Sequence, residues 1–132
     1  MSGSQTEGVA QPLIAVVDDD VSFLRSLGRL FRSVGYAVAS FSSGREFLSS
    51  LGTSTPACVV LDVQMPEMNG FEVLERLASL GLCLPVILIT AHDTPQFRER
   101  AHRAETAGLL IKPFDGESLL ASVHRTLELY TT

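Results

Sequence analysis

Six polar residues that could do chemistry stand directly after short apolar runs of the sequence. They are Asp18, Asp19, Asp20, Asp62, Thr90 and Lys112. Four of the six aspartates of the chain belong to this set. Lys112 is the only lysine, and it lies in an apolar segment where an ammonium group without a partner would be costly. The set therefore combines carboxylates, one hydroxyl group and one cation.

The carboxylates predict a metal site. Two or three carboxylates a few Å apart repel each other unless a proton or a cation neutralises them. All the ligand atoms on offer are oxygens, which favours a hard divalent ion such as Mg²⁺ (or Mn²⁺). We predict Asp19 and Asp62 as direct ligands, with Asp18 acting through water. Asp20 is the predicted N-cap of the helix that follows.

The same residues are suited to phosphoryl transfer. A carboxylate beside a divalent cation can act as the nucleophile, as it does in aspartyl-phosphate chemistry. Asp62 is the predicted nucleophile, because it is a single carboxylate, whereas the Asp18 and Asp19 pair is better suited to holding metal. Thr90 could donate to a phosphoryl oxygen, and Lys112 could offset the charge of the transferring group.

The elements that position these residues follow from an alternation of patterns. Near-continuous apolar runs at residues 13–17, 36–41, 57–61, 85–89 and 108–111 alternate with segments of helical periodicity. Such runs are typical of parallel strands that helices cover on both faces. We predict an α/β fold, a flavodoxin-like (βα)₅ three-layer sandwich with the strand order 2-1-3-4-5. In this order ligands bind beyond the carboxyl ends of the first and third strands.

Local signals predict where the helices begin and end. Gly35 and Gly81 are predicted helix stops, and Ser43 with Glu46 forms a predicted capping box for the second helix. The fourth helix, residues 94–106, is polar and is predicted to be the least stable. The last helix has an apolar face at Leu119, Leu120, Val123, Leu127 and Tyr130.

Length and composition exclude several classes of protein. A chain of 132 residues is one domain of ordinary size. We predict a disordered tail over residues 1–11 and one folded domain over residues 12–130. The net charge of −5 argues against direct binding of nucleic acid, and no apolar run is long enough to span a membrane. Without a secretion signal, we expect a cytoplasmic protein.

The two cysteines do not form a zinc site. Cys58 and Cys83 both lie beside apolar residues. They do not form a C-x-x-C motif, and they lack the further ligands that a zinc site requires. We predict that both are buried thiols.

The candidate site residues lie in four blocks of sequence. The blocks are VVDDD (16–20), LDVQMPEMNG (61–70), LITA (88–91) and KPF (112–114). Together they resemble the receiver domain of two-component response regulators. Any one block alone would be a weak signal, but all four come in the order and at the spacing of the family. The resemblance covers about residues 12–130, and the surrounding residues are similar to the nitrogen-fixation-regulator branch.

The resemblance implies a phosphoryl acceptor and a set of metal ligands. Asp62 would be the acceptor of the phosphoryl group. Asp19 and Asp62 would hold Mg²⁺ together with the backbone carbonyl of Gln64, and Asp18 would assist. The phosphoryl group would come from a histidine kinase, a phosphotransfer protein or a small donor such as acetyl phosphate.

The resemblance also implies which residues bind the phosphoryl group and which face of the domain binds a partner. Thr90 and Lys112 would bind the phosphoryl group, and the peptide bond between Lys112 and Pro113 would be cis. The face of the fourth helix, fifth strand and fifth helix would bind a partner or a second copy of the chain.

Gln64 could line the phosphoryl pocket or lend only its carbonyl. His92 could influence water attack on the aspartyl phosphate or be an ordinary surface histidine.

The sequence departs from the family pattern in three places. Leu109 stands where the family usually has the aromatic residue that rotates on activation. Glu105 stands where a glycine often ends the fourth helix, so we expect a reshaped helix end. The sequence carries no output domain after residue 130, so we expect either a stand-alone receiver or part of a longer chain.

Two other functions remain open at this stage. A Mg²⁺-dependent phosphatase could use Asp62 as its nucleophile, but Gln64 leaves no second acid placed to protonate a leaving group. A docking domain that works without phosphate would explain Leu109 and Glu105. We expect a signalling module with at most slow autodephosphorylation rather than an enzyme in the ordinary sense.

Overall fold

The computed structural model describes residues 11–130 of the chain. Within this range five strands alternate with five helices. The strands are β1 (Leu13–Val17), β2 (Ala37–Phe41), β3 (Cys58–Asp62), β4 (Val86–Thr90) and β5 (Gly108–Ile111). The helices are α1 (Val21–Ser33), α2 (Gly44–Ser50), α3 (Gly70–Ser79), α4 (Pro95–Arg103) and α5 (Gly116–Tyr130). The observed strands begin and end within one residue of the predicted apolar runs.

The strands form one parallel sheet in the order β2-β1-β3-β4-β5. β1 and β3 are neighbours, with Val17 opposite Leu61, so the segments that follow them leave the sheet side by side. β4 and β5 continue the sheet on the other side of β3. This arrangement confirms the predicted flavodoxin-like fold and its strand order.

Helices cover both faces of the sheet. Buried residues of α2, α3 and α4 pack on one face against strand residues that include Val59 and Leu61. Buried residues of α1 and α5 pack on the other face, against strand residues that include Val60. Successive residues of a strand point to opposite faces, so β3 contributes to both layers. β3 and β4 are buried throughout, which explains their continuous apolar sequences.

The predicted capping box at the second helix is only half formed. Ser43 accepts from the backbone N–H of Glu46, as a cap does, but the Glu46 carboxylate accepts from the N–H of Ser42 instead of Ser43. The complete capping box lies at α3, between Asn69 and Glu72.

The fourth helix is shorter than predicted and ends without reshaping. α4 ends at Arg103, and Glu105 itself takes a left-handed conformation with φ of 55°. The prediction that glutamate would alter this helix end is therefore wrong. The N–H of Ala104 and that of Glu105 both donate back to carbonyl groups of α4, which offsets part of the cost of the left-handed residue.

One side-chain prediction is also wrong. Cys83 is exposed, whereas Cys58 is buried as predicted, and burial raises the pKa of the Cys58 thiol to about 12. Tyr130, at the end of the apolar face of α5, is 55% exposed. The other members of that face are buried or partly buried.

The predicted disordered tail lies outside the described residues except for Gln11, which is exposed and belongs to no helix or strand. None of the helices within residues 11–130 is both long and apolar enough to cross a bilayer.

Candidate functional site

Three carboxylates meet at the carboxyl edge of the sheet, where β1 and β3 end. Asp18 and Asp62 are buried, with 1% and 4% of their surface exposed, and Asp19 beside them is exposed. Each offers an oxygen that lies within 4.8 Å of the oxygens of the other two. This all-oxygen cluster is the kind of site that a hard divalent cation occupies. The exposed Asp19 leaves the cluster open to solvent on one side.

Asp18 and Asp20 have different tasks although they are close in sequence. The side chain of Asp20 accepts from the N–H groups of Ser22 and Phe23 and caps α1, as predicted. The N–H of Asp20 donates to Oδ1 of Asp18 over 2.9 Å. Asp20 is therefore engaged in the helix start, whereas Asp18 faces the cluster.

Lys112 reaches the cluster from the end of β5. Its Nζ atom lies 2.9 Å from Oδ2 of Asp18 and 3.9 Å from Oδ1 of Asp62. The ammonium group also lies 4.3 Å from the ring centre of Phe23, a cation–π contact. The N–H of Lys112 donates to the carbonyl of Thr90 over 2.7 Å, and the bond to Pro113 is cis. The lone lysine thus has the partners that its apolar sequence context requires.

The surroundings of Asp62 favour its protonated form. Burial, and then the charge of Asp18, raise the pKa of Asp62 to about 7, while Lys112 lowers it. Asp19 adds a further rise, and the N–H of Gln64 donates to the carboxylate and lowers the pKa. A cation in the cluster would favour the charged form for the same electrostatic reason.

Thr90 lies beside the cluster and is fully buried. Its hydroxyl group lies 2.8 Å from Oε1 of Gln64 and accepts from the N–H of His92 over 3.0 Å. Two predicted site residues, Thr90 and Gln64, are therefore in direct contact. The His92 side chain is exposed and lines a surface cavity with Gln64.

The remaining predicted residue, Leu109, lies away from the carboxylates. It is half-buried in β5, opposite Leu88, and packs against the core layer of α2, α3 and α4. On its open side it lines a shallow groove with residues of α4, including Ala101.

Sequence reasoning missed two residues that shape the site. The ring of Phe23, in the first turn of α1, faces Lys112 and contacts the ring of Phe114 edge-on. Gly70 begins α3, and a Cβ atom there would lie 2.7 Å from the carbonyl oxygen of Asp62. A glycine eight residues after a candidate nucleophile, at a helix start, was the available signal for this close approach.

The family model described as response regulator receiver domain matches residues 14–124. The chain belongs to the response regulator receiver family. This confirms the resemblance that the four sequence blocks carry. Receiver domains are regulatory modules of two-component systems, and the acidic pocket of this receiver domain has the donor set for a divalent metal.

Individual relatives agree with this assignment. Nodulation protein W of Bradyrhizobium diazoefficiens is 40% identical over 92% of this chain and 53% of its own length. The DNA-binding transcriptional regulator NtrC of Klebsiella pneumoniae is 35% identical over 87% of this chain and 24% of its own length. This chain therefore spans about half of the first relative and about a quarter of the second, and both fit the predicted nitrogen-regulator branch.

A solved structure of similar sequence supports the same conclusion. The response regulator receiver protein of Burkholderia phymatum superposes with a TM-score of 0.79 at 46% identity. The match covers 89% of this chain and 96% of that one.

Proposed function

We propose that this receiver domain, residues 12–130, accepts a phosphoryl group on Asp62 in a reaction that requires Mg²⁺ or Mn²⁺. The observation that supports the proposal is a buried Asp62 carboxylate beside both an acidic cluster and the ammonium group of Lys112. An oxygen of Asp62 attacks the phosphorus atom of a phosphohistidine on a kinase or phosphotransfer protein. The phosphorus–nitrogen bond breaks, and the histidine leaves with its electron pair and takes up a proton.

The metal would be held by Asp19, Asp62 and the backbone carbonyl of Gln64. Asp18 would assist through water, because its oxygens already accept from Lys112 and from the N–H of Asp20. When bound, the cation supplies positive charge that neutralises the carboxylates and the transferring oxygens. Of the groups of this chain, Lys112 and the N–H of Gln64 favour the ionised form of Asp62, against burial and the charges of Asp18 and Asp19. The same contacts would orient the carboxylate toward the incoming phosphorus atom.

Thr90 and Lys112 would respond to the new charge. Lys112 is 3.9 Å from Asp62 and needs only a small shift to pair with a phosphoryl oxygen. Thr90 would donate its hydroxyl proton to another oxygen of the group. Thr90 ends β4 and Lys112 follows β5, the strands that precede and follow α4 in the chain, so we propose that phosphorylation changes the α4–β5–α5 face. Leu109 lies on that face and would move with β5 instead of rotating as an aromatic ring would.

The changed face would bind a downstream partner or a second copy of the chain in the cytoplasm. We propose that the aspartyl phosphate is lost by slow hydrolysis, with the Gln64 and His92 side chains influencing the attack of water. Both line the same surface cavity beside the phosphoryl site. No role in direct binding of nucleic acid is proposed for this acidic domain.

The test is intact mass after incubation with Mg²⁺ and acetyl phosphate. We expect one added phosphoryl group on the wild type and none on Asp62→Asn or in the absence of metal. The matched control is Asp93→Asn, an exposed aspartate outside the cluster, which should be phosphorylated like the wild type. Phosphorylation of Asp62→Asn would contradict the assignment of the acceptor.

A docking domain that works without phosphate is the second candidate, and Leu109 at the half-buried face of β5 is the observation in its favour. Absence of phosphorylation by both acetyl phosphate and a cognate kinase would support this candidate. Steady turnover of a phosphoester would instead support a phosphatase.

A further inference from the structure

The hydroxyl group of Thr90 is held by a side chain outside the acidic cluster. Its oxygen lies 2.8 Å from Oε1 of Gln64, whereas the carbonyl oxygen of His92 is 3.4 Å away. The N–H of His92 donates to the same hydroxyl oxygen over 3.0 Å. The shorter distance indicates that the Thr90 hydroxyl group donates its proton to Gln64. The hydroxyl oxygen accepts from the N–H of His92.

We propose that Gln64 is a positioning residue that holds Thr90 in the resting conformation, so that phosphorylation of Asp62 must displace it. This inference rests on the proposed function, because it concerns the hydroxyl group that we assign to the phosphoryl oxygen. A threonine hydroxyl has one proton to donate. Thr90 therefore donates either to Gln64 or to a phosphoryl group on Asp62, and the two bonds exclude each other.

The two acceptors differ in charge, and this difference sets the direction of the exchange. The amide oxygen of Gln64 is neutral, whereas a phosphoryl oxygen is anionic and accepts a stronger hydrogen bond. The phosphoryl group therefore takes the proton, but the gain is reduced by the bond that Thr90 gives up. Gln64 lowers the affinity of the site for a phosphoryl group by about two- to tenfold, which corresponds to one ordinary hydrogen bond.

Gln64 also joins the segment after β3 to the segment after β4. Its Oε1 atom accepts from the N–H of Ala91 over 3.4 Å as well as from Thr90. Ala91 belongs to the short loop that leads to Thr94, the N-cap of α4. When the Thr90 hydroxyl group donates elsewhere, the shorter of these two contacts is lost, and only the 3.4 Å contact with Ala91 still joins the two segments.

The affinity of the Mg²⁺-loaded protein for beryllofluoride, an anion that mimics a phosphoryl group on aspartate, tests the proposal. Gln64→Met keeps the length of the side chain and the backbone carbonyl but removes the acceptor. We expect it to bind beryllofluoride about two- to tenfold more tightly than the wild type. Gln96→Met is the matched control, because Gln96 is exposed and lines the same cavity; its affinity should equal that of the wild type.

A double-mutant cycle separates positioning from a general structural effect. Thr90→Ser keeps the hydroxyl group, so Gln64→Met should still tighten binding in that background. Thr90→Ala has no hydroxyl group, so the effect of Gln64→Met should vanish there. An equal effect in the Thr90→Ala and wild-type backgrounds, or no effect in the wild type, would overturn the proposal.

A measurement without anion separates this proposal from the proposed function. In the resting protein, Gln64→Met should lower the equilibrium constant for folding by about two- to tenfold when Thr90 is present and by much less in Thr90→Ala. If the wild type binds no beryllofluoride, the proposed function fails, whatever the folding cycle shows. If beryllofluoride binds and the folding cycle shows no coupling, the role of Gln64 fails alone.

Discussion

At the carboxyl edge of the sheet, Asp18 follows β1 and Asp62 ends β3, and the last residues of both strands are buried, whereas all four residues of β5 are only half-buried. We call the first region, around Asp18, Asp62 and Lys112, the acidic side. The second, formed by α4 and β5, is the α4–β5 side. On the acidic side, charges are buried and held by one another. On the α4–β5 side the ion pair of Arg98 with Asp93 is exposed on the surface.

The difference suggests a division of work between the two sides. Chemistry at Asp62 needs carboxylates that stay fixed, and the buried strands provide this. A surface that changes its partners needs elements with few buried contacts, because only these move at low cost. α4 buries only Phe97 and Ala101, and β5 is the short edge strand beside it. The predictions below test whether this division holds.

The largest difference is expected for removal of one cation from each side. Lys112→Met leaves two buried carboxylates without their cation and should cost about 3 kcal/mol of folding free energy at pH 8. Arg98→Met removes an exposed partner of Asp93 and should have little effect on the folding free energy, because water screens the pair. Denaturant unfolding of both variants gives these free energies.

The cost of Lys112→Met should be smaller at pH 5, because Asp62 is then protonated and the remaining repulsion falls. If Lys112→Met and Arg98→Met lose the same folding free energy at pH 8, the two sides do not differ in how strongly their charges stabilise the fold.

The second prediction concerns the dependence of stability on pH. Asp62 has a pKa of about 7 in the folded protein, compared with 3.8 for an ordinary aspartate. The folded state therefore binds more protons between these values, so its stability falls as pH rises from about 4 to about 7. Asp62→Asn should remove most of this slope and be more stable than the wild type at pH 8, by about 2 kcal/mol.

Asp93→Asn serves as the control for this prediction. Its partner Arg98 lowers the pKa of Asp93. The stabilisation that the Asp93 carboxylate contributes is therefore present above the ordinary pKa of aspartate and is lost only at lower pH. The slope of stability between pH 5 and pH 8 should be unchanged in Asp93→Asn. A wild-type slope that persists in Asp62→Asn would assign the pH dependence to another group.

The third prediction compares a glycine from each side. A Cβ atom at Gly70 would meet backbone atoms of Asp62 and Val63 at 2.7 and 3.0 Å, whereas one at Gly108 would meet the Ser122 hydroxyl at 3.1 Å. Backbone cannot yield as a side chain can, so Gly70→Ala should cost about 1–3 kcal/mol and Gly108→Ala less than about 1 kcal/mol. Thermal unfolding ranks the two variants, and a larger loss for Gly108→Ala would contradict the comparison.

Most of the acidic side could be predicted from the sequence. Asp62, Thr90 and Lys112 end three apolar runs, and parallel strands bring their carboxyl ends to one edge. The sequence could not show that Lys112 pairs more closely with Asp18 than with Asp62, because that depends on the rotation of α1 and on the ring of Phe23.

The α4–β5 side was less predictable. The sequence of α4 is polar, so its periodicity predicts the end of this helix only approximately. Glu105 takes a left-handed conformation directly after the C-cap of α4. Propensity alone favours a different backbone for glutamate. The hydrogen bonds that the N–H groups of Ala104 and Glu105 donate back to α4 favour the left-handed conformation, and residue types alone do not report them.

The smallest effect is expected when a glutamate in the left-handed backbone conformation is replaced by glycine, one such residue lying on each side. Glu105 has φ of 55° on the α4–β5 side, and Glu67 has φ of 69° in the loop after β3. Replacement of either by glycine removes the strain of the side chain but makes the unfolded chain more flexible. We expect each variant to gain about 0.5–1 kcal/mol, measured as a rise in Tm.

A difference between these two variants would sharpen the comparison. Both glutamates are exposed, so local strain alone predicts nearly equal gains. If the loop after β3 depends on Glu67 to keep the neighbouring Asp62 in place, Glu67→Gly should also weaken binding of Mg²⁺, whereas Glu105→Gly should not. Weaker Mg²⁺ binding in Glu105→Gly would instead show that the α4–β5 side supports the carboxylates, against the division of work proposed above.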